Sequence, residues 1–209
     1  MPSPDVLLRP LQLAGLVLLL ALEPATAANV EVLALGSDGQ PLPETVVFLE
    51  SPGVKAAAKP LQGVEIVQVE RRFVPRVTVV TAGTAVTFPN RDTVRHHVYS
   101  FSPIKPFDLK LYAGTPANPV AFDRPGIAVL GCNIHDHMIA WVVVVDTPHF
   151  AIAGASGALR LDNVPPGSYR LRSWHAGLPP GTPAADTALV VPAAGVRAQV
   201  KLALTAAAL

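Results

Sequence analysis

The stretch Ile127-Ala128-Val129-Leu130-Gly131-Cys132-Asn133-Ile134-His135-Asp136-His137-Met138-Ile139-Ala140-Trp141-Val142-Val143-Val144-Val145 sets two apolar, β-branched runs on either side of a short polar loop. Runs of this length and composition, bounded by glycine and polar residues, read as strands joined by a connection too short to be anything but local. The rest of the chain has the same texture. With 22 prolines, 15 glycines and no long segment of apolar residues at period 3.6, it is expected to be all-β. Strands are expected at 30–35, 45–49, 64–69, 77–80, 85–88, 97–100, 120–122, 127–130 and 140–145, with turns at Ser37-Asp38-Gly39, Ala82-Gly83 and Asp123-Arg124-Pro125-Gly126. The seven or so short strands of 64–146 suit a two-sheet Greek-key sandwich with its core between the sheets.

The loop carries the chemistry. Cys132 is the only cysteine of the chain, His135 and Met138 follow at three-residue steps, and the pair His96-His97 lies upstream. One thiolate, two imidazoles and a thioether are the ligands that hold copper in a trigonal His2Cys arrangement with a long axial Met. A buried structural cysteine is the plainer reading, since free cysteine is among the most buried residue types; the soft and borderline donors beside Cys132 argue against it. His96 and His97 open a strand, where successive side chains face opposite sides, so one of the two can reach the metal. If His137 were a ligand, Met138 next to it would diverge from the ion; with His135, the turn brings imidazole and thioether back together. His137 is then expected beside the site, exposed. Four protein ligands leave no position for a substrate, whereas catalytic metal sites keep one open. That points to an electron carrier and away from an enzyme. A copper-delivery protein that holds Cu(I) without cycling is the alternative, but only two methionines occur and one is Met1.

Arg9 precedes the apolar run 11–22, which leads into Ala25-Thr26-Ala27, a signal-sequence pattern with cleavage expected after residue 27. The run is shorter than the roughly 20 residues a membrane span needs. Loss of 1–27 takes Arg9, Asp5 and Glu23 from 16 basic and 15 acidic residues, leaving 15 and 13 and a net charge of +2. Nothing in that balance suggests nucleic acid. A periplasmic location is expected, with no membrane span after cleavage. In an oxidising compartment a lone cysteine has no internal disulfide partner and needs protection.

The segment 64–145 resembles the cupredoxins, and within them the amicyanin and plastocyanin group, including proteins labelled methylamine-utilisation proteins. The resemblance rests on Cys132-x2-His135-x2-Met138, on Phe122-Asp123-Arg124-Pro125-Gly126 before it, and on Thr87-Phe88-Pro89-Asn90-Arg91-Asp92-Thr93-Val94-Arg95-His96-His97-Val98. It implies one type 1 (blue) copper ion held by His96, Cys132, His135 and Met138. It also implies a hydrogen bond from Asn90 to the cysteine loop behind the ligands. Phe88 stands where the family often has tryptophan. A c-type cytochrome or a periplasmic dehydrogenase is the redox partner the resemblance implies. Arg91, Arg95 and Lys105 near His96, with Asp136 and His137 opposite, suggest a mixed, mildly basic face. Multicopper oxidases and copper nitrite reductases would need further histidine clusters, and a binuclear centre a second cysteine.

A different pattern follows residue 146. Residues 157–172 alternate on both sides of Pro165-Pro166-Gly167 and read as a hairpin, and strands are expected at 188–191 and 197–204. Four strands are few for an independent sandwich. The opening residues 30–49, with 157–171, resemble a carboxypeptidase-regulatory-like, transthyretin-type domain. The expected organisation is therefore a signal peptide (1–27), N-terminal strands (28–58), a cupredoxin domain (62–147), and a second, smaller sandwich (148–206) completed by 28–58. A third functional reading makes that sandwich an extracellular recognition module with Trp174 and His175 as contacts, although tryptophan is usually core.

Overall fold

A computed structural model of the protein describes residues 27–205; all but the last residue of the expected signal peptide, 1–27, lies outside them. Two strands open the described chain, β1 (Ala28–Leu35) and β2 (Val46–Glu50), followed by the short helix α1 (Pro52–Ala57). The middle supplies β3 (Val64–Glu65), β4 (Val67–Val69), β5 (Arg72–Val74), β6 (Val77–Thr81), β7 (Thr84–Thr87), β8 (His96–Ser100), β9 (Phe107–Tyr112), β10 (Val120–Phe122), β11 (Gly126–Gly131) and β12 (Ile139–Val145). The last part supplies β13 (Phe150–Ile152), β14 (Ala158–Val164), β15 (Gly167–Trp174), β16 (Ala185–Val191) and β17 (Val196–Lys201). The fold is all-β, as expected.

The strands stack as four layers around three apolar cores. The sheet β10-β7-β3 faces the sheet β6-β12-β11-β8-β9 across a core built on Phe88, Phe122, Leu130, Val98 and Val142. At the other end, β14-β1-β17 faces β13-β2-β15-β16 across Val30, Val32, Leu49, Leu161 and Leu171. A third core, the seam between the two sandwiches, joins Val46 and Phe48 of β2 and Trp174 of β15 to Val77 and Val79 of β6 and Val143 and Val145 of β12. This is why β2 and β12 are apolar without alternation. Val47 and Leu49 point into one core while Val46 and Phe48 point into the seam; Val142 and Val144 pack inward while Val143 and Val145 pack outward. A strand buried on both faces reads as a continuous apolar run, and each large side chain so buried contributes about 1.5–3 kcal/mol.

β1 and β2 pair with strands that follow residue 147: β1 with β14 and, in parallel, with β17; β2 with β13 and β15. The expected hairpin at 157–172 is corrected. β14 runs beside β1, whereas β15 runs between β2 and β16 in the facing sheet. Pro165 and Pro166 have no N–H to give to a ladder, so the link arches from one sheet to the other. Asn163 at φ 56° starts the arch, and the Tyr169 hydroxyl closes it by donating to the Pro165 carbonyl at 2.6 Å. β5, β9 and β13 lie where no strand was expected.

Candidate metal centre

Cys132 follows directly on β11, which pairs its last residue, Gly131, with Tyr99 of β8 and with Ile139 of β12. A side chain at Gly131 would meet the far end of Tyr99, with Cζ 2.8 Å from an added Cβ, so the Tyr99 ring would have to shift to admit one. After Cys132 the chain turns tightly: the Met138 N–H donates to the His135 carbonyl at 2.9 Å and the Ile139 N–H to the His137 carbonyl at 3.0 Å. Those bonds bring His135 and Met138 back toward Cys132. Met138 and Cys132 are both buried in the first sandwich's core, and His137 is exposed.

His96 opens β8 and is fully buried. His97, also buried, faces the other way and bonds Asp108 of β9 through Nε2. The ligand atoms of His96, Cys132 and His135 all lie within 4.8 Å of one another, and the two imidazole rings meet edge to face at 5.1 Å. Nδ1 of His96 and Nδ1 of His135 are both buried with no hydrogen-bond partner. Burial, with the positive charges His96, Arg71 and His137 can carry, pushes the His135 imidazole below its ordinary pKa and so favours the neutral form, the one that can donate to a metal.

The loop carrying His96 is stitched in place by polar contacts. Asn90 accepts from the Asp92 N–H at 2.9 Å and donates through Nδ2 to the carbonyls of Val94 and Tyr112, both at 2.9 Å. The hydrogen bond expected from Asn90 to the cysteine loop is therefore corrected: its side chain holds its own loop against β9. The physical reason is that the carbonyls of Val94 and of Tyr112, at the end of the unexpected β9, take the amide donors of Asn90. Gln68 donates to the Phe88 carbonyl at 3.2 Å and to the Tyr112 hydroxyl, which itself donates to the Phe88 carbonyl at 2.6 Å. Burial raises the Tyr112 pKa to about 12, so this phenol stays protonated.

Asp92 is the residue that sequence reasoning missed. Its Oδ2 lies 2.7 Å from His96 Nε2, and its oxygens accept from the backbone N–H groups of Glu70 at 2.7 Å and Arg71 at 2.9 Å. Burial opposes its charge, but these donors outweigh burial and hold the carboxyl below its usual pKa. The signal was present as an aspartate four residues before a candidate ligand. Of the basic residues noted near His96, Arg91 pairs with Glu65 at 3.7 Å and Lys105 with Asp123 at 3.6 Å, while Arg95 is exposed. Beside His135 the loop exposes Ile134 together with the polar Asn133, Asp136 and His137. Trp174 and His175 are buried, which removes them as surface contacts of the second sandwich.

No protein-family model and no curated protein matches the chain. Similar solved structures include a purple cupredoxin from Nitrosopumilus maritimus, 20% identical with a TM-score of 0.36, over 39% of this chain and 99% of that chain. A reduced Cu(I) form of a mutant amicyanin is 18% identical with a TM-score of 0.37, over 47% of this chain and 98% of that chain. A Cu-containing nitrite reductase from Thermus scotoductus is 22% identical with a TM-score of 0.37, over 54% of this chain and 28% of that chain.

Proposed function

We propose that the protein is a type 1 copper electron carrier in which His96, Cys132, His135 and Met138 would hold one ion. The observation that carries this reading is the convergence of His96, Cys132 and His135 within 4.8 Å, with both imidazole Nδ1 atoms buried and unpartnered. A buried polar atom left without a partner costs about 1–3 kcal/mol. Two such atoms on imidazoles grouped with one thiol are sustained most simply by a soft metal ion that takes all three donors. Among the described residues this is the one group of His, Cys, Asp and Glu side chains with metal-ligand spacing.

When bound, copper supplies a Cu(II)/Cu(I) couple that accepts and releases one electron. The chain's own residues do the rest. Asn90, Gln68 and Tyr112 fix the loop bearing His96, and the paired strands β11 and β12 fix both ends of the loop bearing the other donors. A site built this way rearranges little between oxidation states. The buried Cys132 and Met138 keep water away, and this same burial protects the thiol. His135, half-buried beside the exposed Asn133, Ile134, Asp136 and His137, is the ligand closest to solvent and marks the face a partner would approach. That partner is a c-type cytochrome or a periplasmic dehydrogenase, and the protein is exported to the periplasm by residues 1–27. The copper module, 62–147, is an insertion between the two halves, 28–58 and 148–206, of a carboxypeptidase-regulatory-like sandwich; the pairing of β1 with β14 and β17 and of β2 with β13 and β15 supports this division.

A redox titration of the copper-loaded protein tests the carrier role. One reversible one-electron transition at a single copper per chain is expected. Catalytic turnover of nitrite, or failure of the bound copper to cycle, would contradict it.

A further inference from the structure

We propose that Asp92 is the positioning residue of the metal centre, fixing the tautomer and rotation of His96 and placing a carboxylate charge one imidazole away from the copper. The inference rests on the copper reading above and concerns what sets the strength of that site.

His96 is fully buried, so its Nε2 has no water to bond, and Asp92 Oδ2 at 2.7 Å is its partner. A carboxylate in that position accepts a hydrogen bond, so Nε2 carries the proton and the lone pair is left on Nδ1, which is buried without a partner. Metal-bound histidines commonly give their second nitrogen to such an acceptor, which raises ligand basicity and fixes the ring. Asp92 is itself immobilised from two directions. Its own N–H is held by Asn90, and its carboxylate accepts from the N–H groups of Glu70 and Arg71.

Those two residues form the turn between β4 and β5, and both sit in the left-handed region, at φ 53° and 56°. Two-residue hairpin turns of that shape favour Asn-Gly; here neither residue is glycine, and the carboxylate of Asp92 binds the two N–H groups the turn presents. The hairpin thus works as a clamp on the residue that holds the ligand. His135, by contrast, has no carboxylate partner among the described hydrogen bonds, so the two imidazoles are unequal: one is anchored and charged from behind, the other faces the surface. A negative charge behind His96 favours Cu(II) over Cu(I), which lowers the potential of the site.

The test compares wild type with Asp92→Ala and Asp92→Asn in three measurements: Cu(II) and Cu(I) affinity, reduction potential, and the imidazole 15N shifts of the copper-free protein. In Asp92→Ala, Cu(II) affinity should fall about 10- to 100-fold. Cu(I) affinity should fall less, and each tenfold difference raises the potential by about 59 mV for one electron. The copper-free variant should lose the Nε2–H preference of His96. Asp92→Asn keeps an acceptor oxygen and should keep that tautomer, while the loss of charge still raises the potential. Because both substitutions remove an acceptor that the hairpin or His96 uses, thermal melting of each copper-free variant is read alongside; a raised potential in an Asp92→Asn protein that keeps the His96 tautomer carries the charge argument. Wild-type potential and affinity in both variants, with the His96 tautomer unchanged in Asp92→Ala, would overturn the proposal. If wild type itself gave no thiolate-to-copper band, the copper reading would fall instead. The tautomer of His96 in copper-free Asp92→Ala would still decide the role of Asp92: loss of the Nε2–H form upholds it, retention refutes it.

Discussion

The rings of Trp141 and Trp174 meet across the seam between the two sandwiches, with centroids 6.4 Å apart and planes inclined at 55°. Trp141 belongs to β12, the strand after the cysteine loop, and Trp174 ends β15 of the second sandwich. Arg76 lies over the Trp141 ring at 4.9 Å, and the buried valines of β6 and β12 continue the contact. The strand that closes the metal loop is therefore backed on its outer face by the second sandwich.

This seam predicts cooperative unfolding. Phe48, buried in the seam, should cost about 3–5 kcal/mol when replaced by alanine. Chemical denaturation followed by tryptophan fluorescence and circular dichroism should show one coincident transition in wild type and in Phe48→Ala. Two separated transitions in wild type would show that the seam does not couple the sandwiches.

The strand pairing makes a second prediction. Cleavage within 51–63, the segment that leaves β2 and enters β3, should not release residues 28–50, because β1 and β2 are held by β13, β14, β15 and β17. The nicked fragments should co-elute in size-exclusion chromatography until denaturant is added. Free release of 28–50 in native buffer would contradict the pairing.

Which histidines serve the metal can be separated one at a time. His96→Ala and His135→Ala should abolish the thiolate-to-copper absorption. His97→Ala, whose side chain faces Asp108 on the other side of β8, and the exposed His137→Ala should retain it. Absorption spectra of the four copper-loaded variants check the assignment, and loss in His97→Ala with retention in His96→Ala would reverse it.

A pH dependence follows from His175 and His149, both pushed below the ordinary imidazole value by burial. His175 is buried, accepts the Gly177 N–H at Nδ1, and has no partner at Nε2. A depressed folded pKa means that the unfolded chain takes up the proton first. Stability is thus full above the unfolded value of 6.5 and is lost as pH falls from there through the folded pKa. Melting of a Cys132→Ser protein, free of the copper contribution, should fall below pH 6.5, and His175→Asn should flatten part of that fall. A melting temperature constant between pH 7 and pH 5 would refute it.

Much of this molecule was legible from its residues. Alternation and turn chemistry placed β1, β2, β6, β7, β8, β10, β11 and β12 within a few residues, and the donor types around Cys132 singled out the group that the fold brings together. The misses have physical causes. β9, Phe107-Asp108-Leu109-Lys110-Leu111-Tyr112, pairs at a sheet edge with one face wet, and its charges masked it. The arms of 157–172 alternate like a hairpin, and local pattern does not reveal that they enter facing sheets. The runs Val46–Leu49 and Val142–Val145 carried the seam in plain view, as strands without a polar face. Asp92 escaped notice because its importance lies in what it touches: two N–H groups of a turn 21 and 22 residues away and a histidine.

The central claim is that Cys132 ligates copper, and the visible and EPR spectra of the Cu(II)-loaded protein beside Cys132→Ser test it most directly. An intense blue band with narrow copper hyperfine splitting, absent from the variant, is the predicted result. A pale spectrum that the substitution leaves unchanged would remove the thiolate from the metal and contradict the account.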